Sequence, residues 1–335
     1  MKIALDAMGS DDRPAPDVAG AVLAAREYGI GIILVGDEPK LKAELAKHAT
    51  AGLDLSIVHA PSAIAMTDHV EAIKAKRDSS MNLAIKLVRD KHAAAFVTAG
   101  NTGAAMAAAI AGPFLLGRIK GIKRPALTVT LPTATGRVLL LDVGANADVK
   151  PEYLYQFALM GSLYAEKVLR VNQPRVMILS NGEEEGKGPQ VVREAYALIK
   201  SSPINFLGNA EGRDISKGSA DVIVCDGYVG NVVIKSSESL AKVLIGFIKS
   251  EINKRPIAKI GALLAKPAFD ALKALLDPSE QGGAILLGVD GVVIIGHGSS
   301  DAKAIKNAIR VAKQAVEGNV IEHIRAGLQE AQTLA

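Results

Sequence analysis

The sequence predicts a layered α/β/α sandwich on a mostly parallel mixed sheet, and three observations predict it. Short apolar runs alternate with segments of helical periodicity, the rhythm of βαβ units. Several of these runs pass straight into glycine-rich polar turns, and in α/β sheets the carboxyl ends of strands carry ligand sites. Two runs, PALTVTL and RVLLLDV, are separated only by PTATG. That connection is short enough for a hairpin and places at least one antiparallel pair in the sheet.

Taken in order, KIALDAM opens as a strand, followed by a helix from about Pro16 to Tyr28, a strand at GIILVG, a helix from Glu38 to His48 and a strand at DLSIV. AAFVTAG is a strand leading into a helix that starts near Thr102. PALTVTL, RVLLLDV, RVMILS, DVIVCD and GVVIIG supply later strands. No repeat of roughly 20 to 50 residues and no low-complexity linker divides the chain, so residues 1–335 read as one domain. Between about residues 251 and 278 the pattern changes. Leu264, Ala268, Leu272, Leu275 and Leu276 recur at helical spacing, while Lys266, Asp270, Lys273 and Asp277 follow another stripe. Pro256 and Pro267 start or break helices, which predicts two short helices in a projection. Lys254, Arg255 and Lys259 suit anionic headgroups, with Leu264, Phe269, Leu272 and Leu276 entering a lipid interface. The same stripe also fits packing within the chain or across a dimer.

Composition narrows the function classes. With 335 residues, 49% hydrophobic and 22% charged, the chain can bury a large core. Its longest apolar runs, such as Ala104–Ile110 and Val138–Leu141, fall well short of the roughly 18 to 20 residues that cross a bilayer. The opening MKIALDAMGSD has no apolar leader, so the expectation is a cytoplasmic protein. A formal charge of +4 with 4% aromatic residues gives little footing for nucleic acid. Cys225 is the only cysteine. It excludes an internal disulfide and a cysteine zinc site, and its apolar run VIVCD predicts a buried structural thiol. Charge is unevenly spread: no Asp or Glu occurs from Lys91 through Leu141. Arg118, Lys120, Lys123 and Arg124 in that window form a surface for an acidic partner or a plain solvated stripe.

The turns carry the chemistry. In TAGNTGA, Gly100 and Gly103 allow close backbone approach, and Asn101 and Thr102 open a small-residue helix whose free N–H groups face an anion. The same small residues also let a helix pack tightly on a strand. IGHGSSD holds His297 between two glycines, with Ser299, Ser300 or Asp301 as the cap of the next helix. In DAMGSDD, Gly9 and Ser10 are placed to meet phosphate, while Asp6 and Asp11 orient a cationic side chain or simply cap the following segment. SNGEEEGKG sets Lys187 among three carboxylates, either reaching into a site or lying on solvated surface. LDVGANAD offers Asn146, and CDGYVGN offers Asp226 and Asn231. G-x-x-x-x-G-K-[ST], G-x-G-x-x-G after the first strand, G-x-S-x-G and H-E-x-x-H are all absent, and the histidines show no metal-ligand spacing. No cofactor and no metal is expected.

Six blocks in order, DAMGSD (6–11), TAGNTGA (98–104), LDVGANAD (141–148), SNGEEEGKG (180–188), GNAEGRDISKGSADVIVCDGYVGNVVIKS (208–236) and GGAILLGVDGVVIIGHGSSDAKAIKNAI (282–309), resemble the PlsX family of phosphate acyltransferases. Ser10 and Thr98 depart from the family's usual Gly and Ser and keep small residues there. The resemblance implies transfer of a fatty acyl group from acyl carrier protein to inorganic phosphate, giving acyl phosphate for phospholipid synthesis. It further implies a homodimer at the cytoplasmic membrane surface that supplies a membrane-bound glycerol-3-phosphate acyltransferase. The fold it implies is that of phosphate acetyltransferases and the isocitrate/isopropylmalate dehydrogenase group, without hydride chemistry. On this reading the TAGNTGA helix start and Lys187 hold phosphate, and Asn231 or His297 serves the oxyanion or the leaving thiolate. Two alternatives stand beside it: a phosphate acetyltransferase using acyl-coenzyme A, and a non-catalytic scaffold binding carrier protein at a membrane.

Overall fold

The computed structural model describes the backbone of residues 1–333 and their side chains except at 274, 276, 278 and 331–333. The expectation for Leu276 therefore lies outside the described residues. The chain runs β1 (Lys2–Asp6), α1 (Ala15–Tyr28), β2 (Gly31–Gly36), α2 (Glu38–Leu45) and β3 (Leu55–His59). α3 (Ala72–Ala75) and α4 (Ser80–Arg89) lead to β4 (Ala95–Thr98), and α5 (Thr102–Ala111) leads to a hairpin, β5 (Ala126–Thr133) and β6 (Gly136–Leu141). Next come α6 (Pro151–Lys167), β7 (Val176–Leu179), α7 (Gln190–Lys200), β8 (Phe206–Ala210), α8 (Gly212–Lys217) and β9 (Val222–Val224). A long helix, α9 (Gly227–Asn253), is followed by α10 (Pro256–Leu264), α11 (Lys266–Leu276) and α12 (Pro278–Gln281). β10 (Ala284–Leu287), β11 (Val292–Ile295), α13 (Ala302–Glu317) and α14 (Val320–Thr333) close the chain.

All strands join one 11-stranded sheet in the order β3-β2-β1-β4-β11-β10-β5-β6-β9-β7-β8. β3, β2, β1, β4 and β11 are parallel neighbours, as are β6, β9, β7 and β8. Between the two groups β10 pairs antiparallel with both β11 and β5, and β5 pairs antiparallel with β6. The expected hairpin is present, and the central reversal makes the two parallel groups run in opposite directions. The sequence reading did not include β8 and β10. AILL is only four residues long between glycines, and FLGNA carries Gly208 and Asn209, so neither run has a distinctive period.

Side chains alternate between two cores, as period-2 geometry requires. Ile3, Leu5, Ile32, Leu34, Leu139 and Leu141 point to one, where α1, α6, α7, α13 and α14 cover the sheet. Ala4, Ile33, Val35, Val138 and Leu140 point to the other, covered by α4, α5, α8 and the start of α9. GIILVG is buried at every position because β2 has cover on both faces.

Past its first turns α9 leaves the core. Its only buried residues are Gly227 and Gly230, and α10 has none. Pro256 sits in the first turn of α10, where its missing N–H costs nothing. Ile257, Leu263 and Leu264 are 85%, 71% and 79% exposed, and Phe269 and Leu272 are also exposed. Packing within the chain does not account for this stripe. No described helix is long and apolar enough to cross a membrane.

The α1–α13 contact depends on a missing side chain: a Cβ added at Gly20 would lie 2.5 Å from Ile305 Cβ. Gly20→Val should therefore cost about 1 to 3 kcal/mol through overpacking. Denaturant unfolding of the variant beside the parent checks this, and an unchanged midpoint would show that the two helices separate at no cost.

Candidate active site

The turns assemble in groups fixed by strand order. After β1, β4 and β11, three of them are tied to one another. Thr98 Oγ1 donates to Asp6 Oδ2 at 2.9 Å and accepts from Gly100 N at 3.0 Å. Gly296 N donates to the Thr98 carbonyl at 2.7 Å, and Asp11 N donates to the Gly298 carbonyl at 2.9 Å. Gly9 is needed for this closeness, since a Cβ there would stand 2.8 Å from Thr98 Oγ1 and 2.9 Å from Gly100 N. Met8 N donates to Asp6 Oδ1 at 3.2 Å. Ser10 is fully buried and donates its hydroxyl to Asp17 Oδ2 at 2.5 Å.

The start of α5 projects from this knot. Asn101 caps it, accepting from Ala104 N at 3.0 Å, while its Nδ2 holds the carbonyls of Met66 and Asp68 at 3.1 and 3.0 Å. Thr102 and Gly103 are half-buried, and among the described residues their N–H groups have no acceptor in the chain. They are the orphan donors of the helix's first turn and carry its positive end. His297 is exposed at the end of β11, with Nδ1 2.8 Å from Ser299 Oγ and accepting from Ser299 N at 3.3 Å. An Nδ1 that accepts leaves the proton of the neutral ring on Nε2. Of the three candidates for the α13 cap, Asp301 performs it, accepting from Ala304 N at 2.8 Å.

A second group forms after β6 and β9. Asp142 is fully buried and gathers five donors: the N–H groups of Leu127, Gly144, Ala145 and Asn146 at 3.0, 3.2, 2.9 and 2.7 Å, and Asn146 Nδ2 at 2.8 Å. Asn146 Nδ2 also reaches the Pro125 carbonyl at 2.8 Å, so its amide nitrogen is committed to holding the turn. α9 begins against this turn. Gly227 N donates to the Asn146 carbonyl at 2.7 Å, Asp226 caps the helix through Val229 N at 2.8 Å, and a Cβ at Gly230 would lie 1.8 Å from the Asp142 carbonyl oxygen. Asn231 is exposed on the first turn of α9. Cys225 is buried, and desolvation pushes its thiol well above its ordinary range, as the sequence predicts.

SNGEEEGKG follows β7 and packs beside α8. Glu185 pairs with Lys200 and Glu183 with Arg213, each at 2.7 Å. The Lys187 ammonium is exposed and has no anionic partner among the described residues. β7 lies six places from β4 in the sheet. β7 and β4 belong to the two oppositely running groups of strands, so the Lys187 loop leaves the sheet at the other edge from the α5 start. Arg118, Lys120, Lys123 and Arg124 are exposed on the loop between α5 and β5, held outward by buried Ile119 and Ile122 and by Gln156, which accepts from Lys123 N at 2.8 Å.

Comparison with known proteins decides the family. A family model described as "Fatty acid synthesis protein" matches residues 1–323. The phosphate acyltransferase of Pelotomaculum thermopropionicum is 54% identical over 330 residues, covering 98% of this chain and 95% of the relative. That of Acidobacterium capsulatum is 52% identical over 326 residues, covering 97% and 96%. The chain belongs to the phosphate acyltransferase family. Among solved structures, EutD phosphotransacetylase from Staphylococcus aureus matches with a TM-score of 0.61 at 13% identity over 94% of each chain. A phosphotransacetylase from Streptococcus pyogenes matches at 0.60 with 19% identity over 95% of this chain and 94% of that one. The expected likeness to that fold is borne out.

Within this phosphate acyltransferase fold, sequence reasoning missed the buried acids that brace the turns. Asp142 stands inside LDVGANAD, and Asp17 lies in the first turn of α1, where an acidic residue reads as a routine N-terminal helix residue. Burial raises both pKa values, that of Asp17 from 3.8 to about 7, against the opposing Ser10 hydrogen bond. Asp6 is raised for the same reason and pushes Asp17 further up. A raised carboxyl pKa stabilises the folded state fully below 3.8, and that contribution is lost as pH rises toward 7. Asp17→Asn, which keeps an acceptor for Ser10, should gain stability relative to the parent between about pH 4 and 7 and hold a constant difference above. Thermal melts across that range check it, and a pH-independent difference would mean that Asp17 does not titrate there.

Proposed function

We propose that the chain transfers a fatty acyl group from the thioester of acyl carrier protein to inorganic phosphate, releasing acyl phosphate and free carrier. The observation that carries the reading is the open start of α5, where two unpartnered N–H groups and a helix dipole stand over a knot of buried hydrogen bonds. A phosphate oxygen attacks the thioester carbonyl, the C–O bond forms as the C–S bond breaks, and the phosphate proton ends on the departing thiol. Phosphate is itself the nucleophile, so no protein nucleophile is needed. What remains is alignment and stabilisation of the oxyanion.

In this proposal phosphate meets the backbone of Gly9, Gly100, Asn101, Thr102 and Gly103, with Asp6 and Ser10 fixing that backbone. Asn231 and His297 serve the oxyanion or the thiolate. Asp226 and Asn146 set the start of α9, and Lys187 adds positive charge on that side. α5 and α9 cover the same face of the sheet. β4 and β9 lie five places apart. At about 20 to 25° of twist per strand pair they are turned by about 100 to 125°, which swings their oppositely running carboxyl ends toward a common cleft over β10 and β5. Arg118, Lys120, Lys123 and Arg124 are proposed to receive the acidic carrier. Purified protein should release carrier thiol from long-chain acyl carrier protein only when phosphate is added, without nucleotide, nicotinamide or metal. Equal release in phosphate-free buffer would refute the reading, and faster turnover of acyl-coenzyme A would favour the acetyltransferase alternative.

We further propose that the chain acts as one domain in a homodimer, whose projecting α10 and α11 rest on the inner membrane surface. There its product would pass to a membrane-bound glycerol-3-phosphate acyltransferase. The exposed Leu264, Phe269 and Leu272 beside Lys254, Arg255 and Lys259 support this. Leu272→Glu should cut binding to anionic vesicles at least several-fold and leave activity with soluble carrier intact. A variant that loses its dimer while still binding vesicles would assign the stripe to the subunit interface instead.

A further inference from the structure

A cavity of about 420 Å³ lies on the other face of the sheet from α5 and α9, between the β5–β6 hairpin and helices α6, α12 and α13. That volume falls within the range of about 300 to 1,000 Å³ typical of ligand sites. Its inner wall is apolar, made by Leu139, Leu169, Val171, Ile285 and Val311. Leu275 of α11 also lines it, so the cavity adjoins the exposed apolar projection. Tyr164 is only 3% exposed and belongs to the lining, and its hydroxyl has no hydrogen-bond partner among the described residues. Burial pushes that phenol up to about 12, so it is a neutral donor.

The charge at the lining is also one-sided. Asp221 is neutralised by Arg175 at 3.0 Å and Glu280 by Lys303 at 2.7 Å. Arg310 touches only neutral acceptors, Asn307 Oδ1 at 3.3 Å, Gln314 Oε1 at 3.2 Å and the Glu280 carbonyl at 3.1 Å. Arg137 has no partner among the described residues. Two guanidiniums with no carboxylate of their own thus stand at an apolar cavity, an arrangement suited to an anionic head on an apolar chain.

We infer that this cavity is a second site for a single-chain anionic amphiphile, with its chain among the aliphatic side chains and its carboxylate or phosphate head at Arg137 and Arg310. The inference rests on the reading that the enzyme handles acyl chains, and it places a fatty acid or acyl phosphate at a site separate from the reaction cleft. Occupancy there lets the chain's own product or its hydrolysed acid report back through α11 and α12.

The test is calorimetric titration of the intact protein with hexadecylphosphonate, hexadecanoate and hexadecanol below their aggregation limits, beside turnover on acyl carrier protein and phosphate. Val311→Phe should remove one bound equivalent of the anionic probes. Arg137→Ala should weaken that equivalent at least ten-fold without changing turnover. Tighter binding of the phosphonate assigns the site to acyl phosphate, and tighter binding of the carboxylate assigns it to free fatty acid. Unchanged stoichiometry and affinity in both variants, or equal binding of hexadecanol, would overturn the site. If Val311→Phe fails to fold, the exposed Arg137 variant still decides. Absence of phosphate-dependent turnover in the parent would instead strike the reading of the reaction, because binding is scored independently.

Discussion

β10 and β5 run against each other in the middle of the sheet, and that reversal governs where every glycine turn can go. Had all the strands run one way, the turns would line a single edge, as in a simple doubly wound sheet. With the reversal, the turns after β1, β4 and β11 leave one edge and those after β6, β7, β8 and β9 leave the other. Two groups of turns result, each held by its own hydrogen bonds. Helix cover follows the same division: α5 comes from the first group and α9 from the second, yet both lie over one core.

Each group of turns is braced by buried acid. Asp142 collects five donors and Asp6 two, and Asp17 holds the Ser10 hydroxyl with its second oxygen buried and unpartnered. For all three, desolvation outweighs the hydrogen bonds and raises the pKa. These groups are costly to bury, and they face turn backbone where a ligand would face solvent. Their chemistry is therefore that of struts: they fix N–H directions in loops whose glycines could otherwise take many conformations. Preorganised backbone donors of this kind stabilise developing charge with little rearrangement during reaction.

How much of this could be read from sequence follows from local and nonlocal physics. The βαβ rhythm marked β1 to β4 together with α1, α2 and the start of α5 because these strands are apolar runs, β1, β2 and β4 almost wholly buried, beside helices of recognisable periodicity or small-residue content. The PTATG hairpin was equally local. β10 was hidden because a four-residue apolar run has no period of its own, and it becomes a strand only between β11 and β5. The glycine turns were legible as a set, but their grouping was not, since it depends on the strand order. Lys187 shows the consequence: its loop looks phosphate-friendly by composition, while strand order places it with the turns that leave the opposite edge of the sheet from the α5 start. Asn101 and Asn146 looked like ligand donors, and their amide nitrogens turn out to secure neighbouring carbonyls.

The same accounting bears on catalysis. The only thiol, Cys225, lies under the Asp142 turn, where desolvation and the nearby carboxylates suppress the thiolate. Ser10 is sealed against Asp17, and Thr98 is fully buried and tied to Asp6 and Gly100. These side chains beside the turns are therefore held away from nucleophilic work by burial or hydrogen bonding. Phosphate needs no activation by a protein base to carry nucleophilic charge near neutral pH. A site that spends its polar groups on bracing backbone, leaving the N–H groups of Thr102 and Gly103 open, fits a reaction in which the small substrate supplies the nucleophile and the protein supplies its position.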